Sequence, residues 1–381
     1  MSKQANFEVI VGTYEEYLLG YNFIAKSSEI IQSFAAHDHS SSVRSLAHAG
    51  NFLASGGADD RIFIYDLKVR KEHCMLTHHN STVTCLQFTE NHSHILSGSN
   101  DGVLAIVRTG NWQLEKIWEK PHNGAAILDI AVHSSGKLAL TLGSDCSLRT
   151  WNLVKGRQAY IINLMNKSKE AKSLEKIAWG PDGIHFVLYG GKNTEVWSIE
   201  SGGIIKSIEH ETKVCTCIWG SDKDIIVGLE DGNIVICTFD TVKLNKIKAH
   251  ESRVKCVVAF KEFYVSGSST GEIKVWNKEF EELAKHETGC RITCLCIVPK
   301  LKTKVEEPAK EIEPKKVVAP QQKPRTKVIV EIEESDEEIV EKPTKKNKRK
   351  SNNGEKTEKL KKKKTQIEEQ PKKKKGKVKK T

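Results

Sequence analysis

One short phrase returns six times between residues 55 and 277, and its spacing constrains the fold more than any other feature. The copies are SGGADDRIFIYD (55–66), SGSNDGVLAIVR (97–108), TLGSDCSLRTWN (141–152), YGGKNTEVWS (189–198), VGLEDGNIVICT (227–238) and SGSSTGEIKVWN (266–277). Each is a small-residue strand end, a tight turn, and an alternating strand that closes on an aromatic residue or its substitute. The closing positions Tyr65, Val107, Trp151, Trp197, Cys237 and Trp276 lie 42, 44, 46, 40 and 39 residues apart. That period is the length of a four-stranded propeller blade. A single blade cannot bury both of its faces, so such units must stack around a common axis.

The local pattern agrees. AILDIAVH is a strand, SSGK (134–137) a hairpin turn, LALTLG the next strand, SDCS another turn and SLRTWNL a third strand, with a fourth beginning after Gly156. Alternation in SLRTW and EIKVW marks half-buried strands, and Gly, Ser and Asp mark the hairpins. The phrase resembles the WD-repeat signature. That resemblance implies a buried hydrogen-bond chain from a His before the first strand, through a Ser or Thr, to the turn Asp and the Trp.

His122, Thr141, Asp145 and Trp151 supply all four members, and this repeat is expected to be alone in doing so. Ser55 with Asp59 and Ser97 with Asp101 keep the hydroxyl and the acid, while Tyr65 and Val107 replace the Trp. Asp231 keeps the acid but has Val227 at the hydroxyl position; Thr270 stands in the acid position beside His250 and Ser266. All are assigned to structure, since such bonds hold blades together.

Six phrases do not close a ring. After Trp276 one convincing strand remains, RITCLCIV, while the amino end offers three: FEVIVGTY (7–14), YLLGYNF (17–23) and EIIQSFAA (29–36). One strand from the carboxyl side (291–298) and three from residues 7–36 make a seventh blade and remove the free sheet edges. The expected fold is an all-β seven-bladed WD-repeat propeller over 1–299. Its fourth repeat, 160–198, lacks a His where one is expected.

Charge divides the chain. Residues 300–381 carry 28 Lys and Arg against 15 Asp and Glu, whereas residues 1–299 carry 32 against 34. The last segment has no Phe, Tyr or Trp, so it cannot bury enough apolar surface to offset its ordering entropy; a disordered tail is expected. Its lysine clusters are KKNKRK (Lys345, Lys346, Lys348, Arg349, Lys350), KKKK (Lys361, Lys362, Lys363, Lys364) and KKKKGKVKK, which opens with Lys372, Lys373, Lys374 and Lys375. Lysine without aromatic neighbours favours sequence-independent attraction to phosphate over base reading. Such clusters suit ribosomal RNA and also an import receptor. Between them, EIEESDEEIVE (331–341) places Ser335 before three acidic residues, a candidate acidophilic-kinase site.

Little in the chain points to catalysis, a cofactor or a metal. There is no P-loop or GxGxxG, and Gly180-Pro-Asp-Gly183 is a turn. His37/His39, His78/His79 and His92/His94 fit turns beside strands, and cysteines such as Cys85, Cys215, Cys217, Cys294 and Cys296 fall inside strand patterns as small apolar residues. MSKQANFEVIVG has no long apolar stretch or cleavage site and no run of 18 apolar residues exists, so neither secretion nor membrane spanning is expected. The propeller is expected to be monomeric.

SSGKLALTLGSDCSLRTWNLVKGR (134–157), with IYDLKVRKEH (64–73), VTCLQF (83–88) and KAHESRVK (248–255), resembles the p21-activated-kinase-interacting WD-repeat proteins. The likeness spans the repeat region and extends to a lysine-rich tail. It implies a non-catalytic nucleolar factor of large (60S) ribosomal subunit assembly and pre-rRNA processing. Its implied partners are assembly factors or ribosomal proteins, with pre-ribosomal RNA on the tail. The family's animal members also imply an alternative, a signalling adaptor that negatively regulates a p21-activated kinase.

Overall fold

The computed structural model describes residues 7–221, 223–238 and 244–300. These form seven four-stranded antiparallel sheets. Blade 1 runs Val43–Ala49, Phe52–Gly57, Ile62–Asp66, Lys71–Leu76, and blade 2 runs Val83–Phe88, His94–Ser99, Leu104–Arg108, Gln113–Trp118. Blade 3 is Ile127–Val132, Leu138–Gly143, Ser147–Asn152, Arg157–Asn163, and blade 4 is Lys176–Trp179, His185–Gly190, Asn193–Ser198, Gly203–Glu209. Blade 5 comprises Val214–Trp219, Asp224–Leu229, Asn233–Thr238, Leu244–Lys248, and blade 6 comprises Val254–Phe260, Phe263–Ser268, Glu272–Trp276, Glu282–Glu287.

Blade 7 is built from both ends of the propeller. Ile292–Pro299 pairs with Phe7–Thr13, which pairs with Leu18–Ile24, and Glu29–Ala36 lies outermost. The register across the junction sets Phe7 opposite Pro299, Val9 opposite Ile297 and Val11 opposite Leu295. First strands of successive blades contact one another around the whole circle, blade 7 against blade 1 included, so they line the axis. The fourth strands face solvent, as in Lys71–Leu76 and Gln113–Trp118.

The core is divided by the same geometry. Seven buried clusters occur among the described residues, one at each junction between blades. Blade 6 meets blade 7 through Val265, Ile273 and Val275 against Phe7, Tyr21 and Leu295. Blade 7 meets blade 1 through Ile10, Leu18 and Phe34 against Leu53, Phe63 and Tyr65. Burial on both faces explains why central strands such as FEVIVGT are mostly apolar, with Glu8 as the charged exception. A half-buried ion pair reinforces this last junction: Arg70, partly exposed, donates to Glu8 at 2.8 Å, and Glu8 is 3% exposed.

Polar stitches also run around the axis. Ser45 Oγ accepts from Leu86 N at 2.9 Å, Gln87 Oε1 from Val132 N at 2.9 Å, and Asp129 Oδ2 from Ile177 N at 2.9 Å. Thr293 Oγ1 donates to Val43 O at 2.6 Å and completes the link between blades 7 and 1.

The fourth sheet differs in position from the fourth repeat of the sequence. Arg157–Asn163 belongs to blade 3, and blade 4 begins only at Lys176. The intervening segment holds one short 3-10 turn, Leu164–Asn166, and buries Leu164, Ala171 and Leu174 against the two blades.

Candidate functional site

Four blades carry a His–hydroxyl–acid chain. In blade 3, Trp151 Nε1 donates to Thr141 Oγ1 at 2.8 Å, and Thr141 Oγ1 meets His122 Nε2 at 2.8 Å. The second ring nitrogen, Nδ1, lies 3.0 Å from Asp145 Oδ1. With the tautomer assigned from these partners, Nδ1–H donates to the carboxylate and Nε2 accepts from the threonine. Burial pulls the His122 imidazole below its ordinary value despite Asp145, which keeps the ring neutral.

Blade 6 holds a second complete chain. Trp276 Nε1 donates to Ser266 Oγ at 2.8 Å, Ser266 meets His250 Nε2 at 2.7 Å, and His250 Nδ1 meets Glu272 Oε2 at 2.5 Å. Its acid stands outside the register that the blade 3 chain follows. Thr270 occupies the turn, but the acid comes from Glu272 in the following strand, where blade 3 has Ser147. Ser147 itself bonds His122 at 3.0 Å, so the strand start already faces the imidazole.

In blades 1 and 2 the Ser–Asp pairs are bridged by imidazoles that precede the first strand. His39 bridges Ser55 at 2.7 Å and Asp59 at 3.0 Å. His79 bridges Ser97 at 2.8 Å and Asp101 at 3.2 Å. The available signal was spacing: His39 and His250 each precede their serine by 16 residues, and His79 and His122 precede their hydroxyls by 18 and 19. Where Trp is missing, other donors appear. His78 Nε2 reaches Ser97 at 2.9 Å, and Tyr65 donates to Asp38 at 3.0 Å.

Asp231 departs from expectation. It caps its own turn through Asn233 N at 3.1 Å and pairs with Lys246 at 3.6 Å. Val227, fully buried, offers His210 no hydroxyl, and the ring turns to Thr194 of blade 4 at 3.1 Å. In blade 4, Glu195 accepts from Trp197 at 3.1 Å and from Ser168 at 2.5 Å. Ser168 stands where a histidine was missed.

These constellations resemble a nucleophile–base–acid triad in composition, but their hydroxyls are sealed. Ser55, Thr141 and Ser266 are 0% exposed and Ser97 is 2% exposed. A buried hydroxyl without substrate access holds a blade together and attacks nothing. The lysine clusters at 345–350, 361–364 and 372–380 and Ser335 lie outside the described residues.

One concave surface opens at the end of the axial channel where the first strands begin. It encloses about 480 Å³ and is lined by Arg44, Lys176, Arg253, Lys255 and Arg291, with Glu175 as an acidic member. Threonines 82, 84 and 293 and Asn100 supply further polar lining.

The WD domain, G-beta repeat, profile matches residues 28–66, 70–106, 113–152 and 241–277. Each match spans parts of two neighbouring blades or their connecting loop, and the unmatched stretch contains blade 4 and most of blade 5, which depart from the usual chain of bonds. The p21-activated protein kinase-interacting protein 1-like of Xenopus laevis is 34% identical over 77% of this chain and 82% of its own length. The chain belongs to this WD-repeat family. The human p21-activated protein kinase-interacting protein 1 is 30% identical over 76% of each chain. Shk1 kinase-binding protein 15 of Schizosaccharomyces pombe is 26% identical over 75% of this chain and 82% of its own.

Proposed function

We propose that this protein is a non-catalytic scaffold in nucleolar assembly of the large ribosomal subunit and in pre-rRNA processing. The propeller docks ribosome assembly factors or ribosomal proteins, and residues 300–381 contact pre-ribosomal RNA. The carrying observation is the placement of charge within a chain of this family: 28 basic against 15 acidic residues beyond residue 299, beside a near-neutral propeller. A basic segment of this length exceeds what an import receptor needs, and lysine-rich runs bind phosphate without reading sequence. Localisation to the nucleus and nucleolus follows from the same clusters. The sealed triads support the non-catalytic reading.

Deleting residues 300–381, with import restored by a neutral-flanked signal, tests this directly. Loss of co-sedimentation with pre-ribosomes is the expected result; full retention transfers the function to propeller–protein docking alone.

A second reading has its own observation, the names of the relatives. The human and fission-yeast proteins are named for interaction with p21-activated kinase and Shk1 kinase. Under it the propeller sequesters a kinase of that class and the tail serves import. Adding the full chain to the kinase and measuring substrate phosphorylation decides it, since inhibition is required.

A further inference from the structure

We propose that the mouth of the axial channel is a binding site for an acidic peptide segment of a partner protein. The argument starts from where the cations sit. Arg44 belongs to the first strand of blade 1, Lys176 to that of blade 4 and Lys255 to that of blade 6; Arg253 and Arg291 immediately precede the first strands of blades 6 and 7. Four separate blades thus direct positive charge at one concavity.

Part of this charge is already engaged. Lys176 Nζ lies 3.3 Å from Asp129, Glu175 is held by Lys213 at 3.2 Å, and Arg291 lies over the Tyr14 ring at 5.3 Å while its backbone N–H bonds Glu15. Arg44, Arg253 and Lys255 have no ion pair among the described residues. Three like charges converging on a concavity whose one lining carboxylate, Glu175, is already paired with Lys213 repel one another, and the arrangement is relieved by an anion.

The shape selects the kind of anion. A volume of about 480 Å³ falls within the range of pockets that enclose a short ligand. Single-stranded RNA is held along a groove, by cations that follow the backbone and by rings on which bases stack. Here the cations ring one point, and the lining offers a single aromatic, Tyr14, with Arg291 over one face of its ring, where a run of stacked bases needs several. The hydroxyls of Thr82, Thr84 and Thr293 and the amide of Asn100 lie between the cations. Thr84 and Thr293 already donate their hydroxyl protons to backbone carbonyls, so they can only accept from the N–H groups of an extended chain, while the Asn100 amide can also donate to its C=O groups and Arg44, Arg253 and Lys255 meet its carboxylates.

The test uses the full chain and a fluorescein-labelled glutamate-rich octapeptide, with a uridine oligonucleotide titrated in parallel. Because the basic tail attracts any polyanion, the comparison is between variants at one salt concentration. Arg44→Ala with Lys255→Ala is expected to weaken peptide binding about tenfold. Lys68→Ala with Lys155→Ala, which removes exposed charges elsewhere, is expected to leave it unchanged. A photo-reactive group on the peptide should crosslink to residues around Thr84 and Thr293. Equal peptide affinity in both variants overturns the proposal, as does a mouth variant that loses the oligonucleotide and keeps the peptide. Circular dichroism of the mouth variant separates loss of binding from loss of fold.

Discussion

Thr141 shows how much a single buried oxygen can carry. It accepts from Trp151 and donates to His122, so removing it strands a buried donor and a buried acceptor. Thr141→Val keeps the shape and is expected to cost about 3 kcal/mol in urea unfolding, whereas Thr141→Ser keeps the oxygen and is expected to cost about 1 kcal/mol. The histidines make stability depend on pH. Burial lowers the imidazoles of His39, His79, His122, His210 and His250, and it brings His78 down to about 4. Each imidazole then binds protons more readily unfolded, near its ordinary 6.5, than folded. Stability is full above that value and falls as pH drops below it towards the folded-state values. The urea midpoint is therefore expected to decline from about pH 7.5 to about pH 5.5. His122→Gln should make that slope shallower while costing about 2 kcal/mol at neutral pH. The Thr141 chain was legible because all four residue types stood at repeat spacing. Glu272 was not, because its carboxylate reaches His250 from a strand position, and linear spacing does not display that reach.

At the level of strands, the junctions between blades rest on a repeated small-to-large fit. A Cβ on Gly56 would lie 2.6 Å from Val83 Cγ1, and one on Gly12 would lie 2.6 Å from Val43 Cγ1. Gly98 meets Ile127 and Gly228 meets Val254 in the same way, so in these four junctions the β-branched residue opening a first strand needs the space left by the glycine of the preceding blade. Gly56→Ala is expected to destabilise the fold by about 2 kcal/mol. Adding Val83→Ala should recover part of that loss, a non-additivity that a double-mutant cycle in urea would measure. Blade boundaries were readable where turn residues and aromatic closures coincide, as in blades 1, 3 and 6. Blade 4 was displaced because Ser168 and Glu195 perform work usually done by a histidine and a hydroxyl. Without the histidine, nothing in the linear pattern separates the last strand of blade 3 from the loop that follows.

For the molecule as a whole, the sequence disclosed the ring more completely than it disclosed the docking surface. Counting strands at the two ends required a shared blade, because an open array would leave two unpaired edges. The channel mouth could not be read in advance: Arg44, Lys176, Arg253, Lys255 and Arg291 are scattered over nearly 250 residues of chain and meet only through closure. Function at this scale thus depends on the junction between Phe7–Thr13 and Ile292–Pro299. Amide hydrogen exchange on the full chain tests that junction most directly. Closure requires residues 7–13 and 292–299 to exchange as slowly as Phe52–Gly57 in blade 1, and removal of 292–299 to release protection in 7–13. Exchange of either end segment within seconds, while blades 1 to 6 remain protected, would contradict a ring sealed by both ends.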